Sequence, residues 1–442
     1  MGQRRTDAYC LERLRRVSHK TRKVLALIAG AGAVVTCLAT VPATAATAAT
    51  AATAAQAVTA TRAAATASVR SAILPAPSGD AFYDPPNPLP AGSPGDIIWY
   101  RPVTPPASLV PASKVWQILY LSENALNQPI AVSGTVFVPT SAYSGTRPLV
   151  AYASGTQGWA PQCAPSKEIA AGDFDEQFAV SGLLAKGWAV VVTDEPGLGT
   201  PGPQLYNVGI AEGHAVLDSL RAALRLPGDG LTDGAPVGVE GYSQGGGAAG
   251  WTAQLHRSYA PDLNLKGVNM GGTPANLQAV ANNINGSAFF AFLAGTAIGF
   301  GAAYPSVDLE SYLNAAGKKA FAALQTMCQE EALPLFALQK IQDYTIGGVN
   351  PINDAPWKAV LDENDLGAIK PDVPVLQTHG LLDEVIPVSV EQNLHKQWCD
   401  MGVTSELDIF PGEHVTTAVE DQADVINWLA GRFAGEPAPS NC

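Results

Sequence analysis

Beyond about residue 130, short β-branched apolar runs alternate with stretches whose apolar positions recur at helical spacing. Ile130 to Val138, Leu149 to Ala153 and Gly187 to Thr193 read as strands. Gly209 to Leu226 has the helical period and stops at Pro227 and Gly228. A strand at Val237 to Glu240, a helix at Gly245 to His256 and a strand at Gly267 to Met270 follow. Two later strands, Val373 to Thr378 and Ser405 to Phe410, each lead into a helix. The alternation predicts an α/β fold whose mainly parallel sheet is covered by helices on both faces.

Between Gly272 and about Lys370 no strand is legible, so an inserted, mostly helical cap is expected at about 272–370. Its most apolar part, Ser287 to Tyr304, approaches the composition of a membrane span. Three of its residues are glycine, however, and it lies inside the body of the chain. A buried or lipid-sensing cap helix is the better expectation. If that helix lines a site, Phe289, Phe292 and Phe300 are its candidate contacts for an apolar ligand.

The amino-terminal region has a different character. Arg13, Arg15, Arg16, Arg22 and Lys23 precede an apolar run from Val24 to about Leu38, and Ala43-Thr44-Ala45 offers a small-residue cleavage site. This is the layout of a secretory signal over residues 1–45. Residues 46–72 are almost entirely Ala and Thr, unable to anchor a core, and read as a low-complexity leader or a tether to the cell surface. Order is expected from about Ile73, giving one large domain at 73–442.

Charge is divided in the same way. The first 72 residues hold ten of the 26 Lys and Arg but two of the 39 Asp and Glu, so the body carries 16 basic residues against 37 acidic ones. Such a surface repels phosphate backbones and anionic headgroups, which excludes nucleic acid as a partner and favours a small or neutral ligand. Cys10 and Cys37 lie in the amino-terminal segment, and Cys163, Cys328, Cys399 and Cys442 in the body. An even set in an exported chain predicts disulfides, and four cysteines allow three pairings.

The strongest chemical signal is Gly241-Tyr242-Ser243-Gln244-Gly245, between an apolar strand and a helix-forming stretch. A strand-to-helix turn there pushes Ser243 outward, and the flanking glycines remove side chains that would block it. A serine hydroxyl needs a base to act as a nucleophile, and the base needs a carboxylate to hold its tautomer. His414 fits the base, because it follows the strand ending at Phe410 and the turn Pro411-Gly412, ahead of a helix expected near Thr416. Among the other histidines, His19 lies in the signal, His214, His256 and His395 fall in helices, and His379 sits directly at a strand end. For the acid, Asp383 lies a short loop beyond the strand ending at Thr378, with neighbouring Glu384 as its rival. Asp362 and Asp365 precede that strand and would lie at the wrong edge of the sheet. A tetrahedral intermediate also needs N–H donors. The backbone of Gln244 is one candidate, and Thr156 or Gln157, in the glycine loop after Leu149 to Ala153, is the other.

These motifs, from Asp80-Ala81-Phe82-Tyr83-Asp84 through the serine turn and Pro274-Ala275-Asn276-Leu277 to His414-Val415-Thr416-Thr417, resemble the secretory lipases of fungi and actinobacteria. That group is the lipase A type of the α/β-hydrolase superfamily. The resemblance covers nearly all of the body and implies an α/β-hydrolase fold with a cap between the sixth strand and the acid strand. It supports Ser243, Asp383 and His414 as the triad and Gln157 as the first oxyanion donor. It also implies the pairings Cys163–Cys328 and Cys399–Cys442. The lipase A type carries an acid where this chain has Gln157, a departure that leaves the backbone donor but changes the side chain.

The expected function is a secreted serine ester hydrolase, lipase or carboxylesterase, that forms an acyl-enzyme on Ser243. Its substrate would be a lipid or other acyl ester, with transient contact at a lipid interface. A peptidase of the same fold is the enzymatic alternative, since one triad can serve both reactions. A surface-tethered binding protein without turnover is the non-enzymatic one. Metal-binding and nucleotide-binding signatures are absent from the sequence, so no cofactor or metal is expected. Acyl length, alcohol preference and oligomeric state have no sequence signature.

Overall fold

The computed structural model describes residues 72–104 and 111–442. The expected signal peptide and all but the last residue of the Ala/Thr leader lie outside the described residues. Among these, nine strands form one sheet: β1 (Ile97–Val103), β2 (Ser113–Glu123), β3 (Pro129–Pro139), β4 (Leu149–Ala153), β5 (Ala189–Thr193), β6 (Pro236–Tyr242), β7 (Asn264–Gly271), β8 (Val375–Gly380) and β9 (Ser405–Phe410). Their spatial order is β1-β2-β3-β5-β4-β6-β7-β8-β9. The first three strands form an antiparallel meander that joins β5, and every later pairing is parallel.

Alternation along β4 shows how the layers form. Leu149, Ala151 and Ala153 join the core made with helices α3 (Gly209–Leu224) and α4 (Gln244–Tyr259). Val150 and Tyr152 point to the other face, against α1 (Pro165–Ala171), α2 (Gln177–Ala185) and the carboxyl-terminal helix Gln422–Ala434. A strand buried on both faces needs apolar residues at successive positions, which is why β5 reads Ala-Val-Val-Val-Thr.

The two amino-terminal strands were not legible as strands. Gln117 and Ser122 interrupt β2 with buried polar groups, and Arg101-Pro102 interrupt β1. Their partners come from elsewhere: Gln117 donates to the Tyr83 hydroxyl and the Ser166 carbonyl, and Ser122 donates to Asp218. The insertion leaves the sheet after β7 and the chain returns to it at β8, the strand before the acid loop.

The insertion is helical, as the missing strand signals implied. It runs through α5 (Leu277–Ile284), α6 (Phe290–Ala303), α7 (Leu309–Tyr312), α8 (Ala315–Leu324), α9 (Gln329–Phe336), α10 (Ile341–Tyr344) and α11 (Ala355–Glu363). The apolar stretch is α6, and most of its residues are buried against the rest of the molecule. Among the described residues no helix is long and apolar enough to cross a membrane. After β8 comes α12 (Val388–Asp400), and after β9 come α13 (His414–Glu420) and α14 (Gln422–Ala434). Helix α13 starts two residues earlier than expected, because the Glu413 carboxylate accepts the N–H groups of Val415 and Thr416 and caps it.

Among the described residues two disulfides are formed, Cys163–Cys328 and Cys399–Cys442. The first joins residues 165 apart, so by chain entropy alone it removes about 5 kcal/mol of unfolded-state freedom. Peptide mapping of the unreduced protein should recover both linkages, and a Cys163–Cys399 peptide would contradict this arrangement. Replacing both Cys163 and Cys328 by Ser should lower the unfolding free energy by about 2–4 kcal/mol, as read from denaturant titration.

Candidate active site

The carboxyl ends of three strands meet at one edge of the sheet. There β6 ends at Tyr242, Ser243 stands at φ 60 and ψ −121, and α4 begins at Gln244. Positive φ at a serine is strained by about 1–3 kcal/mol, and the surroundings hold it: the Ser243 N–H donates to Gly271 and its carbonyl accepts from Gly247. The first turn of α4 lies against backbone. A Cβ at Gly245 would stand 1.9 Å from the Ala153 carbonyl oxygen, and one at Gly246 2.3 Å from that of Gly271. Glycine is therefore the residue that lets this helix end approach β4 and β7.

The Ser243 hydroxyl lies 2.9 Å from His414 Nε2, and His414 Nδ1 lies 2.6 Å from Asp383 Oδ2. A carboxylate only accepts, so Nδ1 carries the ring proton and Nε2 is free to receive one. Asp383 is fixed through its other oxygen, which accepts the N–H groups of Val385 and Ile386 at 2.9 and 2.7 Å. Burial pushes the Asp383 carboxyl upward, but the hydrogen bond and charge of His414 outweigh it and hold the group below the usual aspartate range. Glu384, the rival acid, turns away from the ring and accepts the backbone N–H of His414 at 3.3 Å.

Thr156 and Gln157 are buried in the loop after β4, which begins directly against the serine turn. The Gln157 amide donates to the Gly155 carbonyl, and the Thr156 hydroxyl pairs with the Tyr206 hydroxyl at 2.7 Å. Two groups outside the sequence expectations hold this loop. The Glu176 carboxylate accepts the Gly155 N–H at 3.0 and 3.1 Å. From the cap, Gln329 donates its N–H to the Gln157 carbonyl and Met327 accepts that of Trp159, beside the Cys163–Cys328 bond.

A narrow cleft of about 760 Å³, its open mouth included, reaches Ser243 and Gln244. Its walls are mostly apolar and come largely from the cap: Leu277, Val280 and Ile284 of α5, Phe292 and Leu293 of α6, and Trp357 and Leu361 of α11, with Val385 and Ile386 from the acid loop. Of the three expected phenylalanines, Phe292 lines the cleft and Phe289 stacks on it at 6.1 Å. Phe300 does not. It is fully buried beside Tyr304 in the core, because α6 turns that face toward its own neighbours.

Sequence reasoning also passed over Glu212 and Glu391. Glu212 accepts from the Gln244 side chain and the Asn207 N–H. Glu391 lies among the buried apolar positions Val390, Leu394 and Trp398 of α12. An acid on an otherwise apolar helical face was the available signal in both segments.

A serine, a histidine and an aspartate joined by hydrogen bonds at the carboxyl ends of a mainly parallel sheet form the arrangement found in serine hydrolases on an α/β fold. Residues 171–441 match the secretory lipase family. The chain is 31% identical over 396 residues to the secreted triacylglycerol lipase LIP3 of Malassezia globosa, covering 86% of each chain. It is 30% identical over 403 residues to lipase 10 of Candida albicans, covering 84% of each. The X-ray structure of Candida antarctica lipase A in its closed state superposes with a TM-score of 0.74 at 25% identity, over 84% of this chain and 91% of that one. The chain belongs to the secretory lipase family, which accords with the ester-hydrolase expectation over the peptidase and non-catalytic ones.

Carboxyl groups buried around this edge carry a further property. Burial raises Glu176 and Asp421 to about 7 and Glu212 and Glu240 to about 8, despite hydrogen bonds that favour the charged forms. A carboxyl raised in the folded state keeps its proton where the unfolded chain has lost it. Its contribution is therefore complete below the unfolded value near 4 and is lost as pH rises through 7 to 8. Each group contributes about 1.4 kcal/mol per pH unit within that window. Thermal unfolding should accordingly show a higher midpoint at pH 5 than at pH 8, and the reverse order would contradict the buried-acid account.

Proposed function

We propose that this chain is exported through its residue 1–45 segment and cleaves acyl esters, triacylglycerols among them, through an acyl-enzyme on Ser243. The observation that carries the reading is the continuous Ser243–His414–Asp383 hydrogen-bond chain, whose serine lines an apolar cleft. As Ser243 Oγ attacks the ester carbonyl, His414 Nε2 takes its proton and Asp383 stabilises the resulting imidazolium. Charge forming on the carbonyl oxygen is met by the Gln244 N–H, at the amino end of α4, and by an N–H of the Thr156–Gln157 loop. The His414 proton then passes to the departing alcohol. Water, deprotonated by the same ring, releases the fatty acid. The acidic body suits a neutral ester, and the Malassezia globosa relative, named a triacylglycerol lipase, supplies the triacylglycerol class.

Ser243→Ala should abolish cleavage of p-nitrophenyl and glycerol esters with little change in melting temperature. A tenth of the parent turnover in a contamination-free preparation would refute the assignment. Asp383→Asn should cost up to about 10⁴-fold in kcat, through the wrong imidazole tautomer, and far more than Glu384→Gln.

The cap makes a separate prediction. Phe292→Asp should depress kcat/KM for long-chain esters much more than for acetate esters, because only a long chain reaches that wall. Phe300→Asp should instead lower the melting midpoint and leave the ratio unchanged. A chain-length series measured beside thermal midpoints separates the two positions.

A further inference from the structure

The Asp383 oxygen that receives His414 Nδ1 is also approached by a second histidine. His379, on β8, has a side chain fully excluded from solvent, as do Asp383 and Glu391. Its Nε2 lies 2.9 Å from the Ile386 carbonyl oxygen and 3.4 Å from Asp383 Oδ2. Its Nδ1 lies 3.4 Å from Glu391 Oε2. Both Glu391 oxygens act as acceptors, Oε1 from the Gln377 amide at 2.7 Å and Oε2 from the Thr273 N–H at 3.0 Å.

Both ring nitrogens of His379 thus face oxygens that only accept. A neutral imidazole would aim one nitrogen lone pair at an oxygen with no proton to share, an uncompensated contact in a dry site. A doubly protonated ring satisfies both sides and gives alternating charge along Glu391, His379 and Asp383. Burial pushes the ring toward neutrality, but the hydrogen bond and charge of Glu391, then the charge of Asp383, outweigh it and raise the group above its ordinary value. Other ionisable groups nearby do not replace these partners. Asp421 receives the Thr378 hydroxyl, and the Tyr242 ring packs on His414.

We propose that His379 is a buried imidazolium that acts as a positioning residue for the catalytic acid, fixing the Asp383 loop through the Ile386 carbonyl and tempering the charge that Asp383 presents to His414. Ile386 is the link, because its N–H holds Asp383 while its carbonyl receives the His379 proton. A positive charge 3.4 Å from Asp383 Oδ2 opposes a second positive charge on His414 across the same oxygen. It therefore extends activity on neutral esters toward lower pH.

The inference rests on the Ser243–His414–Asp383 assignment, and the tests keep the two apart. His379→Gln keeps an N–H for the Ile386 carbonyl but removes the charge. The acid limb of kcat/KM on a neutral p-nitrophenyl ester should move up by about one pH unit, with kcat at the plateau within tenfold of the parent. An acid limb that stays in place, whatever happens to the plateau or the melting midpoint, overturns the proposal while Ser243→Ala remains inactive. Activity surviving in Ser243→Ala overturns the triad assignment instead. Independently of any His379 variant, ring ¹⁵N shifts of histidine-labelled Ser243→Ala protein should show one slowly exchanging imidazolium at pH 7, converted to the neutral ring by Glu391→Gln. If every slowly exchanging histidine ring is neutral at pH 7, the proposal fails.

Discussion

Close contact between the first turn of α4 and the backbones of β4 and β7 is the constraint on which the site depends. A helix end can lie that near two strands only if its residues lack side chains, and Gly245 and Gly246 meet that condition. The approach forces the reversal at Ser243 and pins its backbone to Gly271. It also leaves the Gln244 N–H at a helix amino terminus, where no intrahelical acceptor exists. Strain at one serine is thus sustained by packing over two strands, and the Ser243 hydroxyl and the Gln244 N–H are placed by a single geometric event.

Much of this was legible in the residues. Seven strands follow from β-branched runs, and β4 and β9 coincide with the boundaries read from sequence. The serine turn was legible because glycine spacing there answers a steric requirement that no other residue meets. Asp383 and His414 followed from chain order and from their positions after strands. What escaped were interactions whose two ends are distant in the chain. The polar residues of β2 are buried because Tyr83 and Asp218 come to meet them, and no local pattern announces that. Phe289, Phe292 and Phe300 were equivalent as letters. Only the rotation of α6 against its neighbours sends Phe292 to the cleft and Phe300 to the core.

The acidic composition takes on a different meaning once burial is known. Read as surface, it is a solubility and exclusion property. Part of it instead lies inside, as carboxyls holding loops by their N–H groups: Glu176 on Gly155, Asp383 on Ile386, Glu391 on Thr273. Each replaces a missing backbone partner with a side-chain acceptor, so the loops around the serine keep their shape without regular structure.

The strap between the loop after β4 and the segment 327–329 bears on how the cleft can open. A covalent bond and two backbone hydrogen bonds hold that edge of the insertion to the loop beside the nucleophile. The insertion therefore cannot lift away as a free lid without pulling the catalytic loop with it. Any displacement of the insertion is held at this edge and grows toward its far end. The anchored corner becomes the fixed point of any such displacement, and the loop that carries Thr156 and Gln157 keeps its place against the serine turn.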